Sequence, residues 1–110
     1  MESEQIFRVT VRARFGQLSP ATKVSLVAAL DDHDVTRSAF TREGTLTYDA
    51  HIGAFGLRYE IRLPADQPEE MAGQAPRREA ESFLSVMGFP HGELRVSTTA
   101  MASMWHSSGA

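Results

Sequence analysis

The chain has 110 residues, of which 42% are hydrophobic and 23% are charged, and its formal net charge is −3. These values are typical of one soluble globular domain with a single core, so we expect residues 1–110 to form one domain. The acidic balance argues against a nucleic-acid-binding protein, because such proteins normally carry a basic surplus. Since the chain has no cysteine, disulfides, thiolate metal sites and cysteine nucleophiles are excluded.

The N-terminal segment reads Met-Glu-Ser-Glu-Gln and is acidic. A signal peptide needs a basic start and an unbroken apolar stretch, and this segment has neither. No run of the sequence approaches the roughly 18 apolar residues that a membrane helix needs. The sequence therefore predicts a cytoplasmic protein that does not bind a membrane.

The first predicted strand covers residues 5–15 and alternates apolar with polar side chains. Successive side chains of a strand point to opposite faces of the sheet. One face of this strand therefore carries Phe7, Val9, Val11, Ala13 and Phe15, and the other carries Arg8, Thr10, Arg12 and Arg14.

A helix is predicted next, because Ser19 can cap the exposed amides and Pro20 suits the first helical position. An apolar stripe at helical spacing follows, formed by Val24, Leu26, Val27, Ala28 and Leu30. The helix should end within residues 31–34, because carboxylates oppose the negative helix C-terminus. Residues 35–43 give no clear pattern, and a short extended piece fits them.

The next feature is a hairpin with arms at residues 45–48 and 55–63, joined by a short loop that contains Gly53. Its second arm alternates like the first strand. Leu57, Tyr59, Ile61 and Leu63 fall on one face, and Arg58, Glu60 and Arg62 fall on the other.

From Pro68 to Gly88 apolar residues again recur at helical spacing. Pro76 predicts either a kink or a separate short segment before a helix that begins near Ala75. Residues 93–99 read as a last strand, followed by a tail that contains Trp105.

The predicted order is βαββαβ, which is the ferredoxin-like α+β fold: a four-stranded antiparallel sheet with two helices on one face. The apolar side of the sheet would pack against the helices, and the arginine-rich side would stay open. Three interpretations of that side remain: a solvated polar face, a face-to-face homodimer contact, or a surface for an anionic ligand or acidic partner.

The candidate catalytic residues are His51, Tyr48 and Tyr59, which would border a pocket between sheet and helices. In an enzyme, His51 would transfer protons and the two tyrosines would position the substrate by hydrogen bonds. A packed core with a polar rim explains the same residues. The candidate ligand-binding residues are Arg12 or Arg58 for an anionic oxygen, Glu60 as a partner of arginine, and Trp105 as an aromatic wall.

No metal site or cofactor motif is predicted. His33 stands among Asp31, Asp32 and Asp34, and an Asp–His pair can serve as a base. The simpler interpretation of this group is a solvated helix end with a turn.

Several stretches are similar to a family of short uncharacterised actinobacterial proteins, a domain of unknown function. They are residues 7–12, 26–30, 40–49 and 101–105, and the family implies no activity. In topology alone the chain resembles the dimeric α+β barrel proteins. These include small cofactor-independent monooxygenases and polyketide cyclases, whose sites lie between sheet and helices.

Together these observations predict a homodimeric small-molecule binding or tailoring protein of bacterial secondary metabolism. It would use acid–base chemistry without a cofactor and take an anionic or aromatic ligand. The alternative is a non-catalytic dimeric interaction or regulatory module that uses the arginine-rich face, so whether the chain is an enzyme is left open.

A cavity of roughly several hundred cubic ångströms between sheet and helices would favour the first function. A solid core with a flat, buried arginine face would favour the second.

Overall fold

The computed structural model describes residues 4–101 and contains four strands and two α-helices in the predicted order. The strands are β1 (Glu4–Arg14), β2 (Thr45–Tyr48), β3 (Ala54–Pro64) and β4 (Arg95–Ala100), and the helices are α1 (Pro20–Ala28) and α2 (Gln74–Met87). Short 3₁₀ turns cover Leu30–His33 and Glu69–Gly73. The strands form one antiparallel sheet in the order β2-β3-β1-β4. The α+β fold with βαββαβ order is thus confirmed.

The apolar face of the sheet forms the core, as the alternation predicts. Phe7, Val9 and Val11 of β1 are at most 1% exposed. Tyr59 lies opposite Val9 in the register of β1 and β3, and it is also buried. Residues of both helices belong to the same buried cluster, so the helices cover this face of the sheet.

Helix α2 follows the second of the two predicted alternatives around Pro76. A 3₁₀ turn at Glu69–Gly73 comes first, and the α-helix then begins at Gln74, two residues before the proline. At the other end Gly88 adopts the left-handed conformation with φ of 70°, and its N–H bonds to the Leu84 and Ser85 carbonyls. Glycine adopts this conformation at little steric cost, which explains why the helix ends there.

Helix α1 begins as predicted but packs less than its sequence indicates. The Thr22 amide donates a hydrogen bond of 3.1 Å to the Ser19 side chain, which caps the helix. Of its apolar side chains only Leu26 is buried, whereas Val24 and Val27 are 69% and 53% exposed. The apolar stripe of α1 is therefore largely exposed, and the helix lines a cavity beside the sheet instead of packing fully against it.

The segment of residues 34–44, for which the sequence shows no pattern, contacts the arginine-rich face. The Arg58 guanidinium donates hydrogen bonds to the carbonyls of Val35 (3.0 Å) and Ser38 (2.6 Å). The Phe40 ring lies 5.1 Å from the guanidinium carbon of Arg8 and 5.0 Å from that of Arg58. This part of the predicted open face is consequently covered by the chain itself.

Within residues 4–101, none of the helices has the length and apolar character needed to cross a membrane.

Candidate functional site

A cavity of about 890 Å³ lies between the two helices and the core-facing side of β2 and β3. Helix α1 forms one wall, α2 forms another, and the segment that precedes β2 contributes a third. Its lining residues are Thr22, Ser25, Leu26, Ala29, His33, Glu43, Gly44, Leu46, Tyr48, Leu57, Tyr59, Glu79, Phe83, Met87 and Phe89.

Aromatic side chains make up much of the wall of this cavity. Tyr48 and Tyr59 come from the sheet, and Phe83 and Phe89 come from the end of α2 and the residue after Gly88. The rings of Phe83 and Phe89 meet edge to face with their centroids 6.2 Å apart. Such contacts hold rings in fixed orientations, so the wall is a preformed aromatic surface.

Tyr48 connects the sheet to α1. Its hydroxyl donates a hydrogen bond of 2.6 Å to the Leu26 carbonyl in the last turn of that helix. Burial, and then the negative charge of Asp32, raises the pKa of Tyr48 above its ordinary value. Because its proton is held by a backbone carbonyl, Tyr48 serves here to fix the position of α1.

Tyr59 has a different environment, although it borders the same cavity. The residue is 2% exposed, and its hydroxyl makes no hydrogen bond to residues 4–101. Since these residues leave no fully buried side-chain polar atom unpaired, the hydroxyl is open to the cavity. Burial, followed by the nearby Glu79 carboxylate, raises the pKa of Tyr59 to about 12. At neutral pH the hydroxyl therefore stays protonated and can donate a hydrogen bond to a bound molecule.

His33 lines the cavity, a position that the sequence does not predict. It is half-buried, its ring stacks on that of Tyr48 at 5.1 Å, and its Nδ1 lies 2.8 Å from the Leu46 carbonyl. A carbonyl oxygen only accepts hydrogen bonds, so Nδ1 carries the proton, and in the neutral ring Nε2 is an acceptor. Asp31 and Asp32 beside it are exposed, as expected of a solvated helix end, whereas His33 itself lines the cavity.

His51 lies apart from the two tyrosines with which it was grouped. It is exposed in the turn between β2 and β3 and does not belong to the lining of the cavity. The structure thus brings together Tyr48 and Tyr59 but not His51, whose proton-transfer role stays a prediction. Trp105 lies outside the described residues.

The predicted arginine site is on the opposite face of the sheet. Arg12 and Arg58 border a separate depression of about 260 Å³. Glu60 faces Arg8 across the strands, and its carboxylate lies 3.6 Å from the Arg62 guanidinium. None of Arg12, Arg58 and Glu60 lines the aromatic cavity, so the two predicted sets of residues do not form one pocket.

The side chains of the cavity offer acid–base and hydrogen-bonding chemistry. Besides His33 and the tyrosines, the polar lining residues are Thr22, Ser25, Glu43 and Glu79. In the described part of the chain, His, Asp and Glu side chains do not gather in groups of three that could hold a metal ion.

The chain belongs to the Family of unknown function (DUF6204), which matches residues 1–109. No curated protein and no solved structure matches it.

Proposed function

We propose that this DUF6204 chain binds a hydrophobic small molecule in the cavity between its helices and sheet. The observation that carries the proposal is the cavity itself, about 890 Å³ in volume and walled by four aromatic side chains. Ligand pockets typically measure roughly 300–1,000 Å³ and combine apolar walls with a few polar groups. A merely imperfect core would instead leave voids little larger than a water molecule.

The enzymatic form of this proposal is a tailoring reaction of bacterial secondary metabolism that uses acid–base chemistry. His33 is the residue in the cavity best suited to accept a proton, because its Nδ1 hydrogen bond leaves Nε2 as the acceptor. The protonated hydroxyl of Tyr59 would donate a hydrogen bond to a substrate oxygen.

The binding function is tested with 2-naphthol, a neutral aromatic probe, titrated into the full chain and followed by calorimetry. We expect saturable one-to-one binding. Ser25→Trp, which places an indole on the α1 wall, should weaken binding about tenfold or more, equivalent to about 1.4 kcal/mol.

Ala28→Trp is the matched control for this substitution. Ala28 is exposed on the same helix and does not line the cavity, so this variant should bind 2-naphthol like the wild type. Absence of saturable binding to the wild-type chain, or an equal effect of the two tryptophans, would reject the proposal.

A second candidate function, an interaction module, is supported by two arginines at one end of the polar face. Arg12 and Arg95 lie directly opposite each other on β1 and β4, and both are exposed. Within residues 4–101 neither has a carboxylate in ion-pair distance. Two like charges in this register repel each other, and a second copy or an acidic partner would relieve that repulsion.

A further inference from the structure

The lining of the cavity carries negatively charged side chains and no positively charged lysine or arginine among the described residues. Its two carboxylates are those of Glu43 and Glu79. Glu43 precedes β2, and Glu79 lies on α2, so the two carboxylates come from different walls. Both are exposed, which places them toward solvent, whereas Tyr59 and Leu57 are buried.

The basic residues of the two helices do not counter these carboxylates inside the cavity. Lys23 of α1 and Arg77 and Arg78 of α2 are exposed and are not lining residues. Along β1 the arginines occupy the opposite face of the sheet from the cavity. The carboxylates at the cavity therefore lack a basic partner in its lining, although the sheet as a whole is rich in arginine.

The deeper part of the cavity suits an organic group and includes an unused polar atom. Tyr48, Tyr59, Phe83 and Phe89 present aromatic rings, which attract cations through their faces as well as apolar groups. The hydroxyl of Tyr59 has no hydrogen-bond partner within residues 4–101, although the residue is 2% exposed. Among the described residues no fully buried side-chain polar atom is left unpaired, so this hydroxyl is open to the cavity, where a bound molecule can pair with it.

We propose, building on the binding function above, that the ligand is a hydrophobic organic cation, namely an amine with an aromatic or aliphatic body. Its ammonium group is neutralised by Glu43 or Glu79, its body contacts the aromatic wall, and a polar atom on the body pairs with the Tyr59 hydroxyl. Aromatic rings together with carboxylates are the recognised means of binding ammonium groups. An inorganic cation does not need the apolar walls, and an anion would face two carboxylates.

Three probes that share one ring system and differ in charge test this inference. They are 1-naphthylmethylamine, cationic at neutral pH, the neutral 1-naphthylmethanol and the anionic 1-naphthoate. Calorimetric titration of the full chain at low salt should rank their affinities as cation above neutral above anion. We expect the amine to bind about five to ten times more tightly than the alcohol, with a difference that shrinks as salt is added.

The variant Glu43→Gln with Glu79→Gln should bind the amine no more tightly than it binds the alcohol. Glu81→Gln is the control, because Glu81 is exposed on the same helix as Glu79 but does not line the cavity.

If the alcohol binds and the amine binds no better, the cation preference is wrong while the binding function stands. If the preference survives the double substitution, other residues cause it and the inference also fails. If none of the three probes binds, the proposed function fails and the inference fails with it.

Discussion

The Tyr59 ring packs directly against the backbone of Gly44, so the position of each residue depends on the other. Gly44 has a φ of +96°, and a Cβ built on it would overlap Cε1 of the Tyr59 ring. A side chain at this position would be strained in its backbone and would also displace the ring. The glycine thus lets the segment before β2 approach the sheet and holds Tyr59 at the cavity.

Gly44→Ala should destabilise the fold by about 2 kcal/mol or more, because strain and overpacking add at one site. Chemical denaturation measures this change. Gly53→Ala is the control, since a Cβ there meets nothing within 4 Å, and its effect should stay within about 0.5 kcal/mol. Equal stability of the two variants would show that the contact between Gly44 and Tyr59 is not as tight as described.

The raised pKa of Tyr59 makes the stability of the fold depend on pH. Its folded-state pKa of about 12 lies above the ordinary value of 10.0, so the unfolded chain loses this proton first. The contribution of Tyr59 to stability is therefore present below pH 10 and is lost as the pH rises from about 10 to about 12. Glu79→Gln should lower the Tyr59 pKa, because it removes a neighbouring negative charge.

The measurement is an absorbance titration of tyrosinate in a Tyr48→Phe background, in which Tyr59 is the only remaining tyrosine. Glu81→Gln in the same background should leave the titration unchanged. An ordinary Tyr59 pKa, or one that Glu79→Gln does not move, would contradict the described environment.

The sequence predicts the cavity residues of the sheet but not those of the turns. Alternation along β3 places Tyr59 with Leu57 on the core face, and the hairpin register brings Tyr48 to the same face. His33 escapes prediction because its partner, Leu46, is 13 residues away and is reached only when the 3₁₀ turn folds against β2. A histidine beside three aspartates carries no local signal of such a contact.

At the scale of elements, the segment of residues 34–44 joins the two faces of the sheet. The segment follows His33, and its first half accepts hydrogen bonds from Arg58 on the polar face of the sheet. Its last two residues, Glu43 and Gly44, line the cavity on the other side. The Glu60 amide donates a hydrogen bond of 2.8 Å to the Thr41 carbonyl, which fixes the segment along β3. Arg58, expected to bind a ligand or partner, thus holds a cavity wall in place from the opposite side.

Arg58→Gln should destabilise the chain by about 2 kcal/mol and speed hydrogen exchange in residues 35–40, because it removes two charged hydrogen bonds to carbonyls. Arg62→Gln is the control. Its ion pairs are half-exposed and 3.6 to 3.9 Å long, so the change should be within about 0.5 kcal/mol. Unaltered exchange of the segment in Arg58→Gln would show that the arginine does not hold it.

The elements themselves were largely predictable, whereas the packing of α1 was not. Period-two alternation, the Ser19 cap and the Gly88 stop are local signals, and each marks an element that the structure contains. The exposure of Val24 and Val27 depends instead on how closely α1 approaches the sheet. That distance is set by the contact between Tyr48 and Leu26, which no pattern within the helix reveals.

At the scale of the whole molecule, the fold has two faces with opposite chemistry. One carries the aromatic cavity with its carboxylates, and the other carries the arginines. With Arg58 and Glu60 engaged inside the chain, a homodimer through the polar face would depend on Arg12 and Arg95.

We expect light scattering to give the mass of two chains for the wild type and of one chain for Arg12→Glu with Arg95→Glu. Arg77→Glu with Arg78→Glu changes the net charge equally on the exposed side of α2 and should remain dimeric. A mass that the first pair does not alter excludes the face-to-face dimer.

We propose that this protein binds its ligand in the cavity and not on the arginine-rich face. Backbone amide shifts of the isotope-labelled chain, recorded as 1-naphthylmethylamine is added, distinguish these two sites. We expect the largest shifts at His33, Gly44, Tyr59 and Phe83. Shifts concentrated at Arg12 and Arg95, or none at saturating probe, would contradict the proposal.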